Sequence, residues 1–414
     1  MIGAPPRVGI FGLLGSGNLG NDAAFEVVLN YLRRDHPDAV VDAMCGGPQR
    51  MKGHYGLDAV PILWYDEHSS GTTGARAVVL KVVGKAIDAF RTGAWVRRHD
   101  VVIVPGAGAQ EATLPIRATG VPYSMFLLSA SGRLFGTKVA LVSVGANRMN
   151  QRMTRWLFNA AARMAFYRSY RDHHSKTAML ERGVDAAAGD PVYPDLVFGL
   201  PSPSEEAGDP GTVGVGLMAY FGGNDDRREA ARLHEHYVDT MKSFVRWLVD
   251  SGHRVRLFWG DNKDHVDGVV VQSILEDLRR YRPDLGPSMV VAEPFSSPEE
   301  LLRELGPIGI FVGTRYHNVV SALKLSKPTI SIGYSSKFDV LMADMGLSAY
   351  CQAASSVELD RLVEQFTEIE EHVEELRHVL LERNRAIAAD LDHQFSRLTT
   401  SLFPDRRRRL EPVA

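Results

Sequence analysis

Two late segments place charged and proton-moving side chains where short apolar runs give way to helical patterns. Ile308–Val312 is a buried-type strand that leads through Gly313 and Thr314 directly into a helix, so Arg315 and His317 fall at the strand's carboxyl end. The next apolar run, Thr329–Ile332, delivers Tyr334 and Lys337 to the same rim. Open α/β sheets bind ligands outside the carboxyl ends of their strands, beside helix N-termini whose free N–H groups attract anions. Arg offers a planar fork to a carboxylate or phosphate, Lys a point charge, and His a proton near neutral pH. The pattern predicts a site for a small polyanion. Arg171, which ends the strand-like run Phe166–Tyr170 just before Asp172 opens a helix, is expected to close that site from the first half of the chain.

A second candidate lies in the first turn. Gly15, Gly17 and Gly20 follow the strand candidate Val8–Phe11 and precede a helix read as Ala23–Arg34, with Asp42 at the end of the next strand candidate. Taken literally, this is a dinucleotide fingerprint. Asn21 and Asp22 argue against it, because a pyrophosphate needs bare amides there and a carboxylate would repel it. Two other readings stand: a turn that lets backbone segments pass closely, or a substrate loop in which Asn18, Asn21 and Asp22 face sugar hydroxyls or a phosphate. Further candidates for sugar contacts are Gln110 and Glu111 after the run Val101–Val104, and Asn147 with Arg148 after Val139–Val144.

Taken together, four features resemble the polysaccharide pyruvyl transferase family from about Val8 to Leu347. They are the Gly-Asn-x-Gly first turn, Tyr170-Arg171-Asp172 with Ser175, the Asp-Pro-x-x-Pro-Asp segment at Asp190–Asp195, and Gly313-Thr314-Arg315-Tyr316-His317 followed by Tyr334-x-x-Lys337. The resemblance implies a fold similar to GT-B glycosyltransferases. It also implies transfer of pyruvate from phosphoenolpyruvate onto two hydroxyls of a sugar, giving a cyclic ketal and phosphate. The family's Arg and His carry over onto Arg315 and His317, and its Arg-Asp segment onto Arg171 and Asp172. Phosphoenolpyruvate carries a carboxylate and a phosphate, which Arg315, Arg171 and Lys337 would neutralise with Tyr334 beside them. His317 would then act as acid toward the enol carbon or leaving phosphate, or as base for the attacking hydroxyl. The chain departs from the family where an Asn is interposed before Asp22, so whether Asn21 or Asp22 takes the acidic role is open. It departs again at Pro105–Glu111, which has fewer glycines than the family's loop.

The elements that must hold these residues read as two α/β series. Strand candidates alternate with helical patterns up to Leu200 and again from Val213. Between them, Pro201–Gly211 is rich in Pro, Ser, Gly and acid, as a linker would be. The expected architecture is two Rossmann-like domains facing across a GT-B-like cleft, with an N-terminal domain over 1–200, a linker over 201–211 and a C-terminal domain over 212–350. C-terminal helices and a basic tail, 351–414, complete the chain. Ser297-Pro298-Glu299-Glu300 predicts a capping box at a helix start.

With 47 Lys and Arg against 50 Asp and Glu, the net charge of −3 predicts no general attraction to nucleic acid. Cys45 and Cys351 form no paired motif, which excludes a disulfide framework and a structural zinc site. No signal peptide or membrane span is expected, so a cytoplasmic protein is read, without cofactor or required metal. Asp261, Asp264, His265 and Asp267 lack the spacing of a calcium loop. Residues 76–98 read as a basic amphipathic helix that either packs on its own domain or rests at the inner face of a membrane. The competing functions are a glycosyltransferase using a nucleotide sugar, an NAD-dependent oxidoreductase, and a non-catalytic sugar- or anion-binding module.

Overall fold

The computed structural model describes residues 4–65, 74–106, 108–111, 117–202, 208–222, 226, 228–260 and 266–404, and for 74–79 the backbone. The chain divides into two compact units, Met1–Gly199 with Ala389–Ala414, and Leu200–Ala388.

Each unit is built on a six-stranded parallel sheet. In the first, β1 (Arg7–Gly12), β2 (Val40–Cys45), β3 (Ala59–Pro61), β4 (Val101–Pro105), β5 (Lys138–Val144) and β6 (Tyr167–Tyr170) lie in the order β3-β2-β1-β4-β5-β6. In the second, β7 (Asp209–Leu217), β8 (Arg254–Trp259), β9 (Val290–Val291), β10 (Ile308–Gly313), β11 (Thr329–Gly333) and β12 (Cys351–Ala353) lie in the order β12-β11-β10-β7-β8-β9. Counted from each unit's first strand, both orders are 3-2-1-4-5-6, the Rossmann arrangement. Every residue of β4 and of β10 is buried, as expected of parallel strands covered on both faces. The edge strands are four residues or fewer. β7 begins at Asp209, inside the segment read as a linker, where Asp209 pairs with Ile308.

In the first unit the helices are α1 (Leu19–Asp35), α2 (Pro48–Tyr55), α3 (Gly74–Val96), α4 (Val121–Phe135), α5 (Arg152–Met164) and α6 (His173–Glu181). The second has α7 (Ala230–Asp250), α8 (Val266–Tyr281), α9 (Pro298–Leu305), α10 (Tyr316–Lys324), α11 (Ser336–Asp344) and α12 (Leu359–Glu371). At α9, Ser297 accepts from the Glu300 amide as the capping box requires, and Glu300 reaches back to the Ser296 amide and hydroxyl.

The last helix, α13 (Val373–Leu402), is shared in sequence between the units. Its earlier part holds Asn384, which donates to the Leu323 and Lys324 carbonyls at the end of α10. Its later part packs on the first unit: Gln394 hydrogen-bonds Ser143 and Ser169 beneath β5 and β6, and Phe395 stacks on Tyr31 of α1. β12 continues the second sheet past residue 350, so the stretch read as a C-terminal extension is divided between the two units. Among the described residues no helix is long and apolar enough to cross a membrane.

Candidate functional site

The cationic rim of the second unit is assembled by two consecutive strand-to-helix turns. Arg315 is the residue before α10, in extended conformation, and His317 lies in the first turn of that helix. Both oxygens of Asp267, at the start of α8, accept from the Arg315 guanidinium at 2.7 Å. Asp267 is 1% exposed and also accepts from the amides of Ala219 and Gly260. A carboxylate held this way fixes the plane of the guanidinium, yet the Arg315 side chain keeps 28% of its surface exposed. Below it, Thr314 is hydrogen-bonded to the Tyr237 hydroxyl, which burial pushes up to about 12 and so keeps protonated.

Lys337, in the first turn of α11, lies 4.8 Å from the centre of the Tyr316 ring and 5.4 Å from that of Tyr334. Those two rings pack edge-on against Phe338, and the Tyr316 ring also meets the His317 imidazole edge-on. The aromatic cluster orients the ammonium, because a cation prefers the ring face. Arg315, His317, Tyr334 and Lys337 are thus gathered at the carboxyl ends of β10 and β11 as their spacing predicts.

The first unit carries a different cluster at the ends of β4, β5 and β6. Arg171 meets three carboxylates: Glu111 in a close ion pair, Asp172 at 3.3 Å and Asp195 at 3.4 Å. Its side chain is 2% exposed. Asp172 caps α6 by accepting from the Ser175 amide, and Asp195 accepts from the Val197 amide. Burial raises the Asp195 pKa, an effect that the Arg171 charge opposes. The Glu111–Arg171 pair passes over Gly145, where a Cβ would sit 2.5 Å from Glu111 Oε1 and 2.7 Å from Arg171 Cζ. Any larger residue would displace the pair. The Asp-Pro-x-x-Pro-Asp segment holds both arginines of this strand end, since Asp190 forms a bidentate pair with Arg168 as Asp195 meets Arg171.

Other expected sugar contacts are distributed around this cluster. Gln110 is fully buried; its carbonyl accepts from Arg182, and it bridges to Ala146. Asn147 is half-buried just past β5, while Arg148 turns outward to Glu181.

At the glycine-rich turn, α1 begins at Leu19, four residues before the sequence reading placed it. Asn18 is the N-cap and accepts from the Gly20 amide, and Asn21 donates to the Leu13 carbonyl. Asp22 is 0% exposed and accepts from the Gly15 amide at 2.6 Å. Gly15 has φ +68 and lies against Gly47, whose carbonyl would be 2.6 Å from an added Cβ. Asp22 thus clamps a tightly packed turn, and burial raises its pKa. The dinucleotide reading loses its acid: Asp42 lies within β2 opposite Gly9, where it accepts from Trp95 Nε1 and lies 3.0 Å from His99 Nε2.

The residue that sequence reasoning missed is Asp267. Its place in a cluster of acids suggested a failed metal loop, and 48 residues separate it from Arg315. A carboxylate opening the helix after β8 was the available signal. Asp261, Asp264 and His265 lie outside the described residues, among which no group of His, Cys, Asp and Glu is suited to a metal ion.

The sequence pattern of the polysaccharide pyruvyl transferase family matches residues 18–336. No curated protein matches the chain. Among solved structures, UDP-GlcNAc 2-epimerase from Methanocaldococcus jannaschii superposes with a TM-score of 0.57 at 9% identity, over 87% of this chain and 92% of its own. The Neisseria meningitidis UDP-GlcNAc 2-epimerase bound to UDP-GlcNAc gives 0.56 at 10% identity, over 96% and 99%. UGT73P12 from Glycyrrhiza uralensis, complexed with glycyrrhetinic acid 3-O-monoglucuronide, gives 0.58 at 8% identity, over 98% of each chain. At these identities the likeness is one of fold: two Rossmann-like domains of the GT-B type.

Proposed function

The chain belongs to the polysaccharide pyruvyl transferase family, and on that premise we propose that it moves pyruvate from phosphoenolpyruvate onto two hydroxyls of a sugar in a polysaccharide or glycoconjugate. One observation carries the reading. Arg315 has its guanidinium plane fixed by a buried carboxylate, keeps 28% of its side chain exposed, and stands two residues from an imidazole in the first turn of the helix that follows.

In this reading Arg315 receives the donor's carboxylate or phosphate, and Lys337 with Tyr334 receives the remaining charge. His317 protonates the donor's methylene carbon, so that C2 becomes electrophilic and a sugar hydroxyl adds to it. The bond from C2 to the phosphate oxygen then breaks, its electron pair leaving with phosphate, and the second hydroxyl adds to C2 and closes the ketal. The two hydroxyl protons balance the new methyl hydrogen and the proton on the released phosphate. A charge-fixed cationic site suits this course because negative charge moves from the enol ester onto phosphate.

The first unit supplies the acceptor side. Asn18, Asn21, Asp22, Gln110, Glu111 and Asn147 are the acceptor candidates, with Glu111 the one whose carboxylate is aligned by Arg171. A direct contact of Arg171 with the donor would require its three carboxylates to move aside, so we assign Arg171 to positioning Glu111. A donor drawn from central metabolism implies a cytoplasmic setting, and no cofactor enters the scheme.

Phosphate release from phosphoenolpyruvate against a panel of glycosides tests the activity, and thermal shift tests the donor. At a concentration of 100 Kd, phosphoenolpyruvate should stabilise the protein by about 2.7 kcal/mol. Stabilisation by a nucleoside diphosphate and none by phosphoenolpyruvate would replace this reading with a nucleotide-sugar glycosyltransferase.

A further inference from the structure

Helices α3, α4 and α5 connect β3 to β4, β4 to β5 and β5 to β6, so right-handed crossovers place them on one face of the first sheet. Neighbours in this layer touch: Gly93 of α3 lies against Phe135 of α4, and Phe126 of α4 meets Trp156 of α5. Each helix already buries a stripe on the sheet, with Trp95 and Val96, Met125 and Leu128, and Phe158 and Ala161 in the core. The apolar side chains on their other faces therefore have no part in that core. Phe90 is 79% and Leu134 75% exposed, and Val82, Phe135, Met153 and Trp156 stand out from the same layer. A run of large apolar side chains exposed on adjoining helices marks a contact surface.

Its charge selects the partner. α4 and α5 contain no Asp or Glu, and the only acid of α3 is Asp88, which is 1% exposed and paired with Lys85. Lys81, Arg133, Arg152 and Arg163 are exposed on the same three helices. In a chain of net charge −3 this layer is strongly cationic. A second copy of the chain would bring like charge against like. An anionic bilayer surface satisfies both features, since its headgroups take cations and its boundary region takes Phe, Leu and Trp.

We propose that the outer face of α3, α4 and α5 docks on anionic lipid. Lys81, Arg133, Arg152 and Arg163 meet the headgroups, while Phe90, Leu134, Phe135 and Trp156 enter the boundary between headgroups and acyl chains. The surface extends the basic character of residues 76–98 to two further helices, and it stands independently of the donor assignment.

The test mixes the full chain with vesicles of phosphatidylcholine alone and of phosphatidylcholine with phosphatidylglycerol, at low and high salt, and sediments the vesicles. The protein should sediment with the anionic vesicles at low salt and be released by high salt. Each of Lys81→Gln, Arg133→Gln and Arg152→Gln should weaken partition about fivefold. On binding, tryptophan emission should shift to shorter wavelength, and Trp156→Phe should remove most of that shift. Exposed positions are chosen so that unfolding curves of the variants match the parent. Failure to bind anionic vesicles at low salt, or equal binding to both compositions, overturns the proposal. So does self-association without lipid that Leu134→Ser abolishes, because the face would then be homotypic.

Discussion

Arg171 and Arg315 both stand just past the carboxyl end of a parallel strand, in sheets of one topology, yet they are opposite kinds of arginine. Arg171 is 2% exposed among Glu111, Asp172 and Asp195, whereas Arg315 lies along both oxygens of Asp267 with 28% of its side chain open. An enclosed guanidinium neutralises carboxylates that burial would otherwise disfavour; a guanidinium aligned by one carboxylate and partly exposed is within reach of an incoming anion. The rim geometry is therefore shared, and the chemistry is set by which acids the neighbouring loops bring to each arginine.

The sharpest break in that comparison would come from His317: a histidine, His173, also stands two residues past Arg171, but it is exposed. His317→Ala should lower kcat about 10²–10⁴-fold with little change in the donor KM, read from steady-state phosphate release. Unchanged kcat would remove the proton-transfer role. Next, Arg171→Leu leaves the buried Asp195 and the half-buried Glu111 without their cation and should cost about 3–5 kcal/mol in urea unfolding. Arg315→Leu leaves the buried Asp267 without its cation and should cost stability as well, but it alone should weaken donor binding, and an equal rise of the donor KM in the two variants would erase the distinction between them. Gly145→Ala, which pushes on the Glu111–Arg171 pair, should cost about 1–3 kcal/mol and raise the acceptor KM.

The smallest effect concerns Asp22. Its pKa is raised above the ordinary 3.8 by burial, so the fold favours the protonated acid. The stability this contributes is full below 3.8 and is lost as pH climbs through the raised folded value. Asp22→Asn keeps an acceptor for the Gly15 amide and should flatten that decline, leaving the slope due to Asp195, whose pKa is raised likewise. An undiminished slope in unfolding free energy against pH would show that Asp22 is not its source.

How much of this was legible in the sequence depended on distance along the chain. The central strands were readable because parallel strands covered on both faces carry apolar runs, and the cationic rim because Arg315 and His317 follow one such run directly. β3 and β12, three residues each at the sheet edges, have too little length for any period. The enclosure of Arg171 was not readable: Glu111 lies 60 residues before it and Asp195 24 after it. The Asp190–Asp195 segment was recognised as a motif, but its task of gripping Arg168 and Arg171 emerges only when β6 is in place. The sequence pattern starts the first helix at Ala23, four residues late, and so leaves Asn18 as a ligand candidate rather than the cap it is.

The division of α13 has a consequence for the order in which the protein is made. Gln394 reaches Ser143 across 251 residues of sequence, and Lys138 holds the carbonyls of Ser401 and Leu402. The first unit leaves the ribosome first but lacks these partners until residues 389–402 have been made. The second unit, contiguous over Leu200–Ala388, is complete earlier. Domains commonly fold in the order they are synthesised; of these two units, the one begun earlier is completed later.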